Sequence, residues 1–256
     1  SALTLGAVEI AALQNLGDSD SLAISLWRYA AAVSTFCPLM AVLGAKRPQD
    51  RGWQWVVLSL WVILLVPALQ AVAARTGERL ELAGAWRMLL WALIAMGLLN
   101  YLATRFALPA ILTSVGQTLL LAPYLLGGTM APQWRAFGTL LILIAGCIAM
   151  VIARRRDSHV AATGTDIDPL HKFNDRWFRL RDGWGAFWGL RILQRINQAA
   201  ELSGWPVRLE WARGFVAASA AATERGGREI VAQPTLAHIE QTLDSLLRRF
   251  ERIDRP

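Results

Sequence analysis

An arginine inside an apolar run is the first residue in this sequence that could do chemistry. Arg28 sits in LAISLWRYAAAVSTFCPLM. A charge held in hydrocarbon costs several kcal/mol unless it is paired or hydrated, which makes such a residue a site candidate. Glu9, in the apolar stretch before it, is the available counter-charge. The bland alternative has Arg28 reaching outward past Trp27 to the membrane surface. Gln70, Asn100, Thr113, Ser114 and Gln117 place further polar side chains inside later apolar runs. Together with Glu9 and Arg28 they would line a solute pathway. Single amides and hydroxyls are also ordinary hydrogen-bonding glue between membrane helices, and that reading comes first.

Other chemistries lack their residues. His159, His171 and His238 all fall in the last hundred residues, so the apolar runs offer no imidazole to a haem or a metal. Cys37 and Cys147 both lie in apolar runs, too few and too scattered for a metal set or a disulfide framework. The phosphate-binding, dinucleotide-binding and zinc-protease motifs are missing, as is any C-x-x-C pair. No catalytic residue, metal or cofactor is therefore expected.

A second group of residues points to binding. The stretch from Asp175 to Gly214 holds five of the twelve tryptophans and seven arginines. On one continuous helix, Trp177, Arg181, Trp184, Trp188, Arg191 and Arg195 fall within about 80° of one another, with Gly185 and Gly189 beside them. Such a stripe can stack on itself through cation–π contacts, lie along a membrane surface, or form an interface hot spot. Gly183, Gly185 and Gly189 each weaken a free helix by about 1 kcal/mol relative to Ala, which implies close approach by another backbone. Trp211, in the following PVRLEW segment, extends the patch.

The elements that must position these residues divide the chain. Apolar residues make up 55% of it and charged residues 18%, on the membrane side of soluble composition. Five runs are long enough, or nearly so, to cross about 30 Å of hydrocarbon as helices: Leu22–Gly44, Trp55–Ala74, Trp86–Ala103, Phe106–Leu126 and Phe137–Ala153. A sixth span is read from the start of the chain, where SALTLGAVEIAALQNL is apolar around Glu9 and is taken as the end of a spanning helix; a short buried or interfacial helix is the other reading. Pro38, Pro67, Pro109 and Pro123 lie within the runs and predict kinks. The fold expected is an all-α multi-pass transmembrane bundle over residues 1–153, a linker over 154–168, and a small cytoplasmic α or α+β tail over 169–256.

Within the tail, Asp168-Pro169 begins a helix that runs to about Leu202 and ends at Ser203-Gly204. Val207, Leu209 and Trp211 alternate with Arg208 and Glu210, the period of a strand, and Arg228–Val231 is read as a second short strand. Leu236, Ile239, Leu243, Leu246, Phe250 and Ile253 form an apolar stripe at helical spacing, expected to dock on the tail's own core.

The net charge of +7 and isoelectric point near 10.4 do not lead to nucleic acid. A basic face beside a membrane meets anionic head groups or sets topology more simply. The partners expected are membrane lipid and other subunits of a membrane complex, or further copies of the chain. Two functions follow: a non-catalytic accessory or scaffold subunit, and, as the alternative, a small permease built on the polar residues around Arg28. Lysine and arginine counts orient the bundle: seven (Lys46, Arg47, Arg51, Arg105 and Arg154–Arg156) against four (Arg75, Arg79, Arg87 and Arg135). The richer side belongs in the cytoplasm, as in a bacterial inner membrane. A reporter fused after Pro256 should therefore read as cytoplasmic, and an external reading would overturn the orientation.

Overall fold

The structure, a computed structural model, describes residues 22–44, 52–73, 80, 82–127, 131–162, 169–217 and 233–247. It is mostly helical, and its residues separate into two compact units that divide between Arg155 and Arg156. Glu9 and the expected first span lie outside the described residues, as do Arg228–Val231, Phe250 and Ile253.

The membrane unit opens with α1 (Leu22–Ser34) and α2 (Cys37–Gly44). The expected span Leu22–Gly44 is thus two short helices, and the reason is Pro38, which has no N–H to give and crowds the carbonyl four residues back. The last turn of α1 tightens instead: Thr35 and Phe36 donate their N–H groups three residues back, to the Ala32 and Val33 carbonyls, both at 3.1 Å. Helix α3 (Gly52–Leu64) and helix α4 (Val66–Ala73) meet at Leu65, before Pro67, with a 47° bend. Helix α5 (Gly84–Leu102) turns back into α6 (Ala107–Ala122) through Thr104, whose hydroxyl donates to the Tyr101 carbonyl at 2.7 Å and accepts the Phe106 N–H at 3.1 Å. Pro109 makes no kink because it lies in the first turn of α6, where its missing N–H leaves no bond unmade. Pro123 opens a π-helical turn, Pro123–Gly127, that closes on Gly127 at φ 69°. Helix α7 runs from Pro132 to Ala162, so the first residues of the expected polar linker continue a helix.

Three of these helices are long and apolar enough to cross a membrane: Gly84–Leu102, Ala107–Gly127 and Pro132–Arg155. The bent α3–α4 pair makes a fourth if it counts as one span. Among the described residues the chain thus has three helices fit to cross a membrane, or four, against the five runs read from hydropathy.

Tyr29 and Val33 of α1, Phe36 just after it, Leu64 of α3, Leu90 of α5 and Leu121 of α6 are among the residues forming the unit's core. Helices α6 and α7 cross at two glycines. A Cβ on Gly116 would stand 2.7 Å from the Gly138 carbonyl oxygen, and a Cβ on Gly138 would stand 3.0 Å from that of Gly116. The two backbones touch there because neither residue has a side chain. Gly146, two turns further along α7, faces open space. Gly116→Ala should therefore destabilise the unit by about 1–3 kcal/mol through overpacking, whereas Gly146→Ala should leave it unchanged or slightly more stable; denaturant unfolding in mixed micelles would separate the two.

Candidate functional site

The candidate binding residues sit on the second unit, built from α8 (Pro169–Ser203), β1 (Val207–Glu210), β2 (Gly214–Ala217) and α9 (Gln233–Leu247). The strands pair antiparallel, with Leu209 opposite Phe215. The partner of β1 is thus the segment just after Trp211.

Helix α8 is interrupted. Gly185 has φ 76° and ψ −170°, a conformation essentially closed to residues with a Cβ. The consequence is visible in two asparagines. Asn197, after the break, accepts the Leu209 N–H at 2.7 Å and donates to the Leu209 carbonyl at 2.9 Å. Asn174, before the break, accepts the Phe215 N–H at 2.6 Å. Opposed residues of paired strands lie roughly 5 Å apart, yet on an unbroken helix Asn174 and Asn197 would be roughly 34 Å apart. The bend at Gly185 folds the two halves of α8 about the hairpin so that each asparagine meets one strand. Gly214, at φ 80°, has no side chain to obstruct Asn174.

The fold divides the stripe expected on one helical face. Trp177 and Arg181, from the first half, gather with Gly189 from the second and Trp211 from the hairpin. Trp177 and Trp211 meet edge to face at 5.8 Å between centroids. The Arg181 guanidinium lies 4.8 Å from the Phe178 ring centroid and 5.8 Å from that of Trp211. It donates from Nε to Asp182 Oδ1 at 2.9 Å and from Nη1 to the Trp211 carbonyl at 2.9 Å, and its Nη2 lies 2.7 Å from the same carboxylate oxygen. Both members of this ion pair are buried. Gly189 gives space to an indole rather than to a backbone: a Cβ there would stand 2.8 Å from the Trp211 ring. Gly183 is exposed and a Cβ there would meet no atom within 4 Å, so at neither Gly183 nor Gly189 does a backbone fill the space as expected.

Trp188 belongs to the unit's core and Trp184 packs half-buried against it. Arg191 and Arg195 stay on the surface, the former 5.9 Å from the Trp188 ring. The apolar stripe of α9 docks on this same core through Leu236, Ile239, Leu243 and Leu246. Lys172–Glu240 at 3.0 Å and Arg176–Asp244 at 2.8 Å flank the contact.

The described polar candidates of the membrane unit differ in exposure and in level. Gln70 is exposed, Arg28 half-buried, and Asn100 and Gln117 are buried. Asn100 and Gln117 sit on antiparallel neighbours at levels about 12 Å apart along the axis. Gln117 is committed to α1: its amide donates to Thr35 Oγ1 at 3.1 Å and lies 3.4 Å from the Thr35 carbonyl. Sequence reasoning missed the tyrosines with the same task. Tyr29 donates to the Leu64 carbonyl at 2.9 Å, at the α3–α4 bend, and Tyr124 donates to the Ser25 carbonyl at 2.8 Å. Asp182, Asn174 and Asn197 were missed as well; asparagines in the interior of a predicted helix are the signal that marks the last two. Among the described residues, no three His, Cys, Asp or Glu side chains gather as a metal site.

No family model, curated protein or solved structure matches this chain.

The arrangement can hold a rigid surface. Its stability depends on the ion pair and the bend. Arg181→Ala, which takes the guanidinium away from the buried Asp182 carboxylate, should cost about 3–5 kcal/mol. Replacing both residues by apolar ones of similar size should recover part of that loss, and Gly185→Ala should cost at least about 1–2 kcal/mol. Pulse proteolysis of the detergent-solubilised full chain in urea reads all three.

Proposed function

We propose that this chain is a non-catalytic accessory or scaffold subunit of a membrane complex, with its Trp/Arg-rich tail in the cytoplasm. The reading rests on how the polar side chains of the membrane unit are used. Tyr29, Gln117 and Tyr124 brace neighbouring helices through backbone carbonyls, while Gln70 is exposed and Asn100 and Gln117 stand at levels about 12 Å apart. Polar groups already engaged in bracing suit an anchor better than a carrier, which must bind and release a solute.

Two further observations support the scaffold over the permease. The tail has a core of its own, centred on Trp177, Leu209 and Ile239, which suits a module presented to other proteins. Helix α7 leaves its span almost uncovered, with 11% of its most apolar window buried, against 44% for α6 and its π-helical turn. Its outward side chains include Leu143 and Ile144, where other subunits or a second copy would pack alongside lipid. The excess of Lys and Arg on the Lys46–Arg51 loop, Arg105 and Arg154–Arg156 supports the cytoplasmic tail and the inner-membrane setting.

A photo-crosslinking residue at position 143 or 144, activated in native membranes, should trap a protein adduct heavier than the 28.2 kDa chain. Purification of the full chain without crosslinking should retain the same partner. Adducts to lipid alone, with the protein migrating singly at its own mass, would sink the proposal.

A further inference from the structure

The outer face of α8 after the Gly185 bend carries large apolar side chains among its polar ones. Trp188, Ile192 and Ile196 turn into the core. On the other side, Phe187 and Leu190 are each 55% exposed and Leu202 is 84% exposed. At 100° per residue these three fall within an arc of about 140° that also holds Arg191 and Arg195. Single exposed leucines are ordinary on soluble proteins. The arc also holds the exposed Gln194, Gln198 and Glu201, but its first half sets Phe187 and Leu190 beside Arg191 and Arg195 with no acid, the apolar and basic mix of a helix that lies in a membrane surface.

We propose that this face docks on an anionic lipid surface, with Phe187 and Leu190 entering the head-group boundary and Arg191 and Arg195 meeting lipid phosphates. Charge decides the occupant. Between Asp182 and Glu201 the sequence has no Asp or Glu, and Asp182 is buried against Arg181. The face therefore presents two cations with no acid among them until its last turn. A second copy of the chain fits it less well, since a two-fold contact would bring the same arginines towards each other.

Tethering makes the docking efficient. The last membrane-crossing segment ends at Arg155, and α7 continues to Ala162. From there Pro169 lies at most roughly 25 Å away along a fully extended chain. The face is thus delivered to a bilayer at high effective concentration, and a weak surface affinity suffices. The inference needs only a tail tethered to a bilayer, so it stands or falls separately from the scaffold reading.

The test uses the full chain with Cys37 and Cys147 replaced by alanine, spin-labelled in turn at positions 187, 190 and 241 and placed in nanodiscs. Gln241, exposed on α9, is the aqueous control. Accessibility to oxygen and to a water-soluble nickel chelate reports depth. In discs containing phosphatidylglycerol, labels at 187 and 190 should read as lipid-embedded while 241 stays aqueous. Raising salt should release them. Arg191→Gln with Arg195→Gln should lower the ratio of docked to free tail about thirtyfold, roughly fivefold for each arginine. Both arginines are exposed, so the fold should survive, checked by an unchanged urea midpoint; the salt titration of the unsubstituted arginines carries the test otherwise. Labels that stay aqueous in anionic discs would overturn the proposal. So would labels shielded from both reagents, the sign of a protein cover, or lipid-like labels indifferent to lipid charge, salt and the arginine changes.

Discussion

A backbone N–H or C=O removed from water must find a partner, and both units of this chain are shaped by that obligation. At two helix interruptions and at the hairpin, a side chain from elsewhere in the same unit supplies a bond. Gln117 reaches Thr35 at the break between α1 and α2, and Tyr29 reaches Leu64 at the bend between α3 and α4. Asn197 and Asn174 reach the hairpin. Each bond crosses between elements distant in sequence, so it also sets how those elements pack.

The buried Arg181–Asp182 pair follows the same logic with charge. An isolated charge in the core would be strongly unfavourable, but Arg181 shares its donors between a carboxylate and the Trp211 carbonyl while its plane lies beside two aromatic rings. The guanidinium thus ties the first half of α8 to the turn of the hairpin. Trp211 in turn fills the space that Gly189 leaves open on the second half. Three segments are locked around one cation.

Much of this was legible in the sequence, and the exceptions have physical causes. Apolar runs located α5, α6 and α7 because a spanning helix needs length and apolarity and little else. Pro38 and Pro67 announced their interruptions; Pro109 gave a false signal because a proline's effect depends on whether its N–H had a partner to lose. The docking of α9 followed from spacing alone, since Ile239 and Leu243 had to turn inward together. The Trp/Arg stripe failed because its angles assumed one continuous helix. Gly185 looked like any of three nearby glycines, and nothing local distinguishes a glycine that relieves crowding from one that reverses the chain. The strand partner was missed because GFVA is too short to show alternation of its own.

The hairpin carries a further consequence. Two strands of four residues each form a sheet that is all edge, and an open edge is a template for a strand from another molecule. Asn197 holds both backbone groups of Leu209 as an incoming strand would, while Asn174 takes the Phe215 N–H on the opposite side. At the middle of each strand, then, the place where another chain's backbone would bond is already taken by a side chain of the same unit.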